Sequence, residues 1–290
     1  MEERNLLADR FEAHRGHLRG VAYRMLGSRA EAEDAMQEAW LRIDRAGSNG
    51  VDNLGGWMTT ILARICLDML RARKARHEEA MAPSAAEVLA GVHDDPLGER
   101  ELADSVGTAM LVVLQALEPA ERIAFVLRDL FDLPFEEIAP IVGRSNDATR
   151  QLASRARRRV RGLPRNDTAA ADRGVVDAFL AASRDGDFNA LLAVLDPQIV
   201  AHCDAAAVKL GGPRQMSGSA AVAKAFLGRA QAARPILLDG RVGVAVAPQG
   251  RLLLLLDVAI RDGRIAAMEI IGDPARMADF TLALLPEQER

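Results

Sequence analysis

The sequence predicts a multidomain chain: two all-α domains, a three-helix bundle and a helix-turn-helix, followed by an α+β cone with a curled antiparallel sheet. Three observations predict it. Apolar residues recur at helical spacing through residues 1–76 and again from Glu99. A helix, a glycine turn and a second helix ending in arginines fill residues 134–161. Beyond residue 172 the apolar runs become strand-like, and Asp262-Gly263 separates two of them, the dipeptide a type I′ hairpin favours.

The first domain, residues 1–76, reads as three amphipathic helices. Phe11, Leu18, Val21, Ala22, Met25 and Leu26 line one face of the first, and Gly27 ends it. The second places Ala32, Ala35, Met36, Ala39, Trp40 and Ile43 on its apolar side, with Glu33, Asp34, Gln37, Glu38 and Arg42 opposite. A loop rich in glycine, serine and asparagine follows, from Ala46 to Leu54. The third helix buries Ile61, Leu62, Ile65, Met69 and Leu70, and gathers Arg64, Arg71, Arg73, Lys74 and Arg76. Spacing from Trp57 to Ile61 and Ile65 makes that tryptophan a core anchor. Residues 77–98 lose periodicity and gain Pro83, Gly91 and Pro96, a linker composition.

A second helical domain spans residues 99–162. Leu102, Val106, Met110, Val113, Leu114 and Leu117 continue the helical period, and Pro119 suits the first position of the next helix. Glu136 to Val142 form the first helix of the helix-turn-helix, with Gly143 at its turn and Ser145 placed to cap the second. Pro140 falls inside the first helix, where it removes a backbone donor and predicts a kink or an early end. The second helix carries Thr149, Arg150, Gln151, Ser154 and Arg155, then a run of arginines. In a helix-turn-helix that element enters the major groove with its N-terminal side chains on base edges. Arginine and glutamine suit bidentate base contacts, and the later arginines suit phosphates.

The whole chain carries a formal charge of −4, which excludes a general polyanion coat. Its basic character is local: eight arginines from Arg144 to Arg165 face only Glu136, Glu137 and Asp147. Cys66 and Cys203 stand far apart, outside any CxxC or Cys/His cluster, so no metal centre or disulfide framework is expected. No cofactor is expected either. No apolar run approaches the roughly 20 residues of a membrane helix, and the charged start MEERNLLADRFEAHR is no signal peptide. The expectation is a cytoplasmic protein with no membrane partner.

Taken together, AEDAMQEAWLR, then WMTTILARICLDMLR, then LEPAERIAFVLRDLFDLPFEEIAPIVGRSNDATRQLASRARRRV resemble the extracytoplasmic-function (ECF) sigma factors, promoter-recognition subunits of bacterial RNA polymerase. The resemblance implies core RNA polymerase and promoter DNA as partners. It implies that Asp34, Gln37, Glu38, Leu41 and Arg42 dock on the polymerase. It implies that Asn49, Asp52, Asn53, Arg64, Arg71 and Lys74 open and contact the −10 element. It assigns Arg144, Ser145, Thr149, Arg150, Gln151, Ser154, Arg155 and Arg158 to the −35 element. Residues 1–76 then correspond to sigma region 2, 99–162 to region 4, and 77–98 to the connecting linker.

Residues 163–172 form a second linker, and 173–290 a third domain. Val175, Val176, Phe179 and Leu180 mark one helix; Asp187 caps another that Pro197 stops; IVAHCD (199–204), LLLLLDVAI (252–260) and RIAAMEII (264–271) read as strands. This order resembles the SnoaL-like, ketosteroid-isomerase-type cone found in a subgroup of these sigma factors, which implies a fused regulatory module. The subgroup's WLPEP-like linker motif is absent, and Asp204-Ala205-Ala206-Ala207-Val208-Lys209 stands where relatives have a DGGGK-like stretch. Two further readings fit the same residues. A conventional helix-turn-helix regulator would need no acidic docking helix. A bifunctional protein would bind or convert a small apolar ligand in its last domain, with His202, Asp204, Asp257 and Glu269 as acid–base candidates. The leading reading is a non-enzymatic initiation subunit.

Overall fold

The computed structural model describes residues 2–48, 50–79, 107–161 and 169–285. Asn49, most of the first linker, the helical positions Leu102 and Val106, and residues 163–168 of the second linker lie outside them. The chain divides into two compact units. One holds the described residues up to 79 together with 117–157; the other holds 107–116 and everything from 158 onward.

In the first unit α1 (Glu2–Leu26), α2 (Arg29–Ala46) and α3 (Leu54–Glu79) form the expected bundle. Its core is Phe11, Leu18, Met25, Leu26, Met36, Ile43, Met58 and Leu62, all essentially sealed from water. Each such side chain contributes about 1.5–3 kcal/mol on burial. Gly27 takes φ 75° and ends α1, and Ser28 caps α2 by accepting from the Glu31 N–H. Helix α5 (Pro119–Phe125) opens with its proline and widens into a π-turn over Val126–Leu130. It packs, with α6 (Phe135–Val142), against α3 of the bundle. Pro140 does not end α6, which runs on to Val142; Gly143 then turns the chain in the left-handed region at φ 69°. Helix α7 (Asn146–Arg161) follows, with Ala153, Ala156 and Val160 inward.

The second unit contains α4 (Thr108–Gln115), the last turn of α7, and the C-terminal domain. Helices α8 (Ala169–Asp185) and α9 (Phe188–Val194) lead into β1 (Leu195–Cys203). The chain continues through α10 (Ala205–Lys209), β2 (Gln215–Ser217) and α11 (Ser219–Phe226) to β3 (Ala233–Leu238), β4 (Arg241–Val246), β5 (Leu254–Arg261) and β6 (Arg264–Ile271). Helix α12 (Pro274–Ala278) and β7 (Leu282–Ala283) complete it. Val176, Phe179, Leu191 and Val222 pack on the sheet face that carries Ala201, Val244, Leu256 and Met268.

The sheet corrects the expected curled antiparallel cone. It is open and mixed, in the order β2-β1-β6-β5-β4-β3-β7, with β1 parallel to β6. The two outermost strands, of three and two residues, are edges of the short kind that resists pairing with other chains. The physical reason for the error is that hairpin signals report only neighbours in sequence. Asp262 and Gly263 take φ 50° and 71°, the type I′ turn their dipeptide predicts, and Asp239-Gly240 makes a second such turn, at φ 49° and 80°, between β3 and β4. The β1–β6 partners, such as Ala201 and Met268, lie far apart in sequence, and the pairing leaves no local trace. Pro197 lies in the stretch where the β1–β6 register shifts, a place that tolerates a missing donor.

Candidate polymerase and promoter interfaces

The helical period of α2 puts Asp34, Gln37, Glu38, Leu41 and Arg42 on one stripe, opposite the buried Ala32, Ala35, Met36, Ala39 and Ile43. Arg42 Nε donates to Glu38 Oε1 at 2.9 Å, and Leu41 is 46% exposed. Beside this stripe a groove of about 410 Å³ runs between α1 and α2, lined by Ala8, Phe11, Glu12, Arg15, Met36, Gln37, Trp40 and Leu41. The Phe11 and Trp40 rings meet at 5.2 Å. An apolar centre with a charged and amide rim is the make-up of a protein-docking surface.

Around α3 the expected −10 residues divide. Asp52 is exposed, and so are Arg64, Arg71 and Lys74 along the helix. Arg71 lies 3.9 Å from Asp68, and Lys74 Nζ donates to Glu118 at 2.7 Å. Asn53 has a local task as well: its Oδ1 accepts from the Gly56 N–H at 3.0 Å and caps α3. A Cβ on Gly56 would meet the Asn53 amide nitrogen at 2.6 Å, so a larger residue there would make that side chain shift. Trp57 is half-buried, and Asn49 is outside the described residues.

On α7, Arg144, Ser145, Arg150, Gln151, Ser154, Arg155 and Arg158 are exposed and follow one helical stripe from the turn onward. Ser145 caps the helix, its Oγ accepting from the Ala148 N–H at 3.2 Å. Thr149 departs from the expected interface: it is fully buried, and its hydroxyl donates to the Ser145 carbonyl at 2.9 Å. Period explains this, since position 149 falls on the same face as Ala153 and Ala156. Arg150 sits over the Phe135 ring at 5.6 Å and pairs loosely with Asp147 and Glu136, at 3.4 and 3.6 Å. Arg155 lies 3.6 Å from Glu121. The Arg150 pairs are exposed and worth about 0–1 kcal/mol, too little to keep that arginine from a phosphate or base, whereas the Glu121 partner of Arg155 is buried.

Sequence reasoning missed a set of charged groups inside the first unit. Arg122 is buried in α5 and donates from Nη1 to the Met25 carbonyl at 2.9 Å. Arg73 donates to the Leu26 carbonyl at 3.3 Å and to Glu31 at 3.0 Å. The C-terminal carbonyls of α1, which have no partner within their own helix, are thus bonded by arginines from two other helices. Burial and the nearby Arg73 pull the Arg122 pKa down to about 9, with Glu31 opposing, so it stays protonated at neutral pH. His17 meets Phe131 edge-on at 5.1 Å; burial first, then His14 and Arg24, lower its pKa. Nothing in periodicity marks Arg122 apart from the exposed arginines of the chain.

In the C-terminal domain His202, Glu269 and Asp257 are register partners across β1, β6 and β5, and so form one row on one face of the sheet. Glu269 pairs with Arg276 at 2.7 Å and Asp257 with Arg241 at 2.9 Å. Asp204 does not join the row. Its carboxylate accepts from the N–H groups of Ala207 (2.7 Å), Gly272 (3.1 Å) and Asp273 (3.0 Å), with Arg276 at 3.6 Å. Burial alone would raise its pKa; those donors more than offset this and hold it below the usual carboxylate range. Asp204 is therefore the N-cap of α10 and the fastener of the turn after β6, and the alanines that replace the glycines form the helix it caps. Among the described residues, no group of three or more His, Cys, Asp or Glu could hold a metal ion, and no helix is long and apolar enough to cross a membrane.

Comparison with known proteins matches two family models to the all-α part: Sigma-70 region 2 over residues 10–76 and Sigma-70, region 4 over residues 108–160. The ECF RNA polymerase sigma factor SigJ of Mycobacterium tuberculosis is 35% identical over 297 residues, covering 94% of this chain and 93% of the relative. The probable ECF sigma factor SigI of the same species is 35% identical over 215 residues, covering 71% and 72%. The crystal structure of SigJ aligns at 31% identity over 93% of this chain and 98% of that one, with a TM-score of 0.46. The SigJ match runs through the C-terminal extension as well as both sigma regions, and the chain belongs to the ECF sigma factors of bacterial RNA polymerase.

Proposed function

We propose that this sigma factor, which binds core RNA polymerase and directs promoter recognition, docks through the α2 stripe and reads the −35 element through the exposed stripe of α7. The observation that carries the reading is that both stripes are continuous and exposed where the apolar core leaves off. Asp34, Gln37, Glu38, Leu41 and Arg42 form the polymerase contact, with Leu41 and the adjoining groove at its apolar centre. Arg144, Arg150, Gln151, Ser154 and Arg155 face DNA bases and Arg158 the phosphates, while Thr149 supports the helix from inside. Asp52, Arg64, Arg71 and Lys74 serve the −10 element. The C-terminal domain modulates this activity and works without turnover of its own.

The test is run-off transcription with purified core polymerase. Glu38→Arg inverts a charge at the centre of the stripe on a surface position that makes no core contact. The expected result is a folded protein that no longer co-elutes with core enzyme and gives no transcript. Undiminished co-elution of that variant would move the docking surface off α2.

A further inference from the structure

We propose that Phe135 is a positioning residue for base reading: its ring holds the Arg150 guanidinium ready for the −35 element. The inference rests on the proposed reading of α7 and deepens it, and every residue it uses lies in the first compact unit. Phe135 is the first residue of α6, and helical spacing puts it on the face of Ile138 and Val142. Those two are sealed in the core, but Phe135 is only half-buried. Two guanidinium groups lie over its ring, Arg128 at 5.3 Å from the centroid and Arg150 at 5.6 Å. Both are within reach of a cation–π attraction.

The two arginines are tied differently. Arg128, in the π-turn, donates to the Leu133 carbonyl at 3.1 Å and pairs with Asp132 at 3.0 Å. It thereby fastens the turn that leads into α6 and carries the ring. Arg150 comes from α7, and its polar partners are Asp147 at 3.4 Å and Glu136 at 3.6 Å, both highly exposed carboxylates. The ring is its third contact and the one held by the fold. An arginine side chain carries much rotamer entropy and gives it up when it meets a base. Lying over a ring gives up part of that freedom in advance and uses no hydrogen-bond donor. The fork of N–H groups stays available for guanine O6 and N7, which arginine engages bidentately. Among the described residues, no other arginine of the exposed α7 stripe lies over a ring.

The test measures discrimination and not affinity alone. The probe is a duplex selected from a random pool by the wild-type holoenzyme, with a panel in which each −35 base pair is changed in turn. Arg150→Ala identifies the base pair that Arg150 reads, as the position where preference relaxes. Phe135→Leu keeps an apolar side chain and removes the ring. It is expected to lower discrimination at that same base pair about two- to fivefold, the worth of one exposed cation–π contact. Discrimination at other positions, the salt slope and the affinity for core polymerase should be unchanged. Phe135→Tyr, which keeps the ring, should retain the wild-type ratio. Adding Phe135→Leu to Arg150→Ala should cost no further discrimination, because the ring acts through the arginine. Each ratio is taken within one protein, so a smaller folded fraction cancels out of it. Unchanged discrimination in Phe135→Leu overturns the proposal and leaves Arg150 as a reader. An equal loss at every position also overturns it, since that is the signature of a general structural role. So does a loss confined to a different base pair, which would make Phe135 a base contact itself. If Arg150→Ala relaxes no position, the reading of α7 at Arg150 fails first and the positioning role falls with it.

Discussion

Asp204→Ala separates a structural carboxylate from a catalytic one. The side chain is 9% exposed and accepts from three backbone N–H groups, on Ala207, Gly272 and Asp273. Loss of a helix N-cap costs about 1 kcal/mol. Each of the two donors stranded in the turn after β6 costs about 1 kcal/mol or more. The sum is about 3 kcal/mol, which for a unit of this size lowers the melting temperature by about 6–12 °C. Asp204→Asn keeps one acceptor oxygen and should lose about half as much. Acid provides a second handle. The folded-state pKa is depressed, so the carboxylate's stabilisation is complete above its unfolded value of about 3.9 and is lost as pH falls through the folded value. The stability gap between wild type and Asp204→Asn, measured by urea unfolding, should be constant from pH 7 to 5 and close below about pH 4. An Asp204→Ala protein that melted within 1 °C of the wild type would refute the fastening role and return Asp204 to the acid–base candidates.

Three further outcomes follow from the same geometry. Arg150→Ala should cost about 1–3 kcal/mol of promoter affinity and relax preference at one base pair, whereas Arg158→Ala should weaken all duplexes alike and lower the salt slope by about 0.9; fluorescence anisotropy at four salt concentrations distinguishes them. His17 has a lowered pKa, so its protonation opposes folding: stability should fall as pH drops below about 6.5, and His17→Phe should flatten that limb of the urea-unfolding profile. Arg122→Ala should cost about 3 kcal/mol, from the Met25 carbonyl left without its donor and from the cavity, while Arg122→Met, of similar volume, loses the donor without leaving the cavity and should cost about 1–2 kcal/mol. Equal losses in the two variants would show that the hydrogen bond and not the volume carries the effect.

What was legible in the sequence was local. The helix period, the glycines at 27 and 143, the caps at Ser145 and Asp187, and the Asp262-Gly263 turn each depend on residues a few positions apart, and each is where the residues put it. The surface stripes follow from the same period, and so does the burial of Thr149, which its spacing to Ala153 and Ala156 already implied. Asp239-Gly240 carried the same hairpin signal as Asp262-Gly263 and went unread because the runs beside it are shorter.

What was not legible required knowledge of which distant elements meet. A buried arginine and an exposed one have the same side chain, and only the proximity of the α1 carbonyls distinguishes Arg122 from Arg158. Leu111 to Leu114 announce burial without naming the surface that covers them, and the parallel β1–β6 pair leaves no turn to betray it. These non-local pairings share a consequence. Asp204, Gln115 and Arg122 each satisfy backbone groups that belong to another element, so each stabilises a junction and not a helix or strand. Substitutions at such positions should therefore act on how neighbouring elements are held together, and leave each helix or strand itself intact. The stripes proposed for polymerase and DNA are held more lightly: Arg42 bonds Glu38 one turn away on its own helix, and Arg150 pairs only loosely with exposed Asp147 and Glu136, so exchanging these side chains should leave the fold in place.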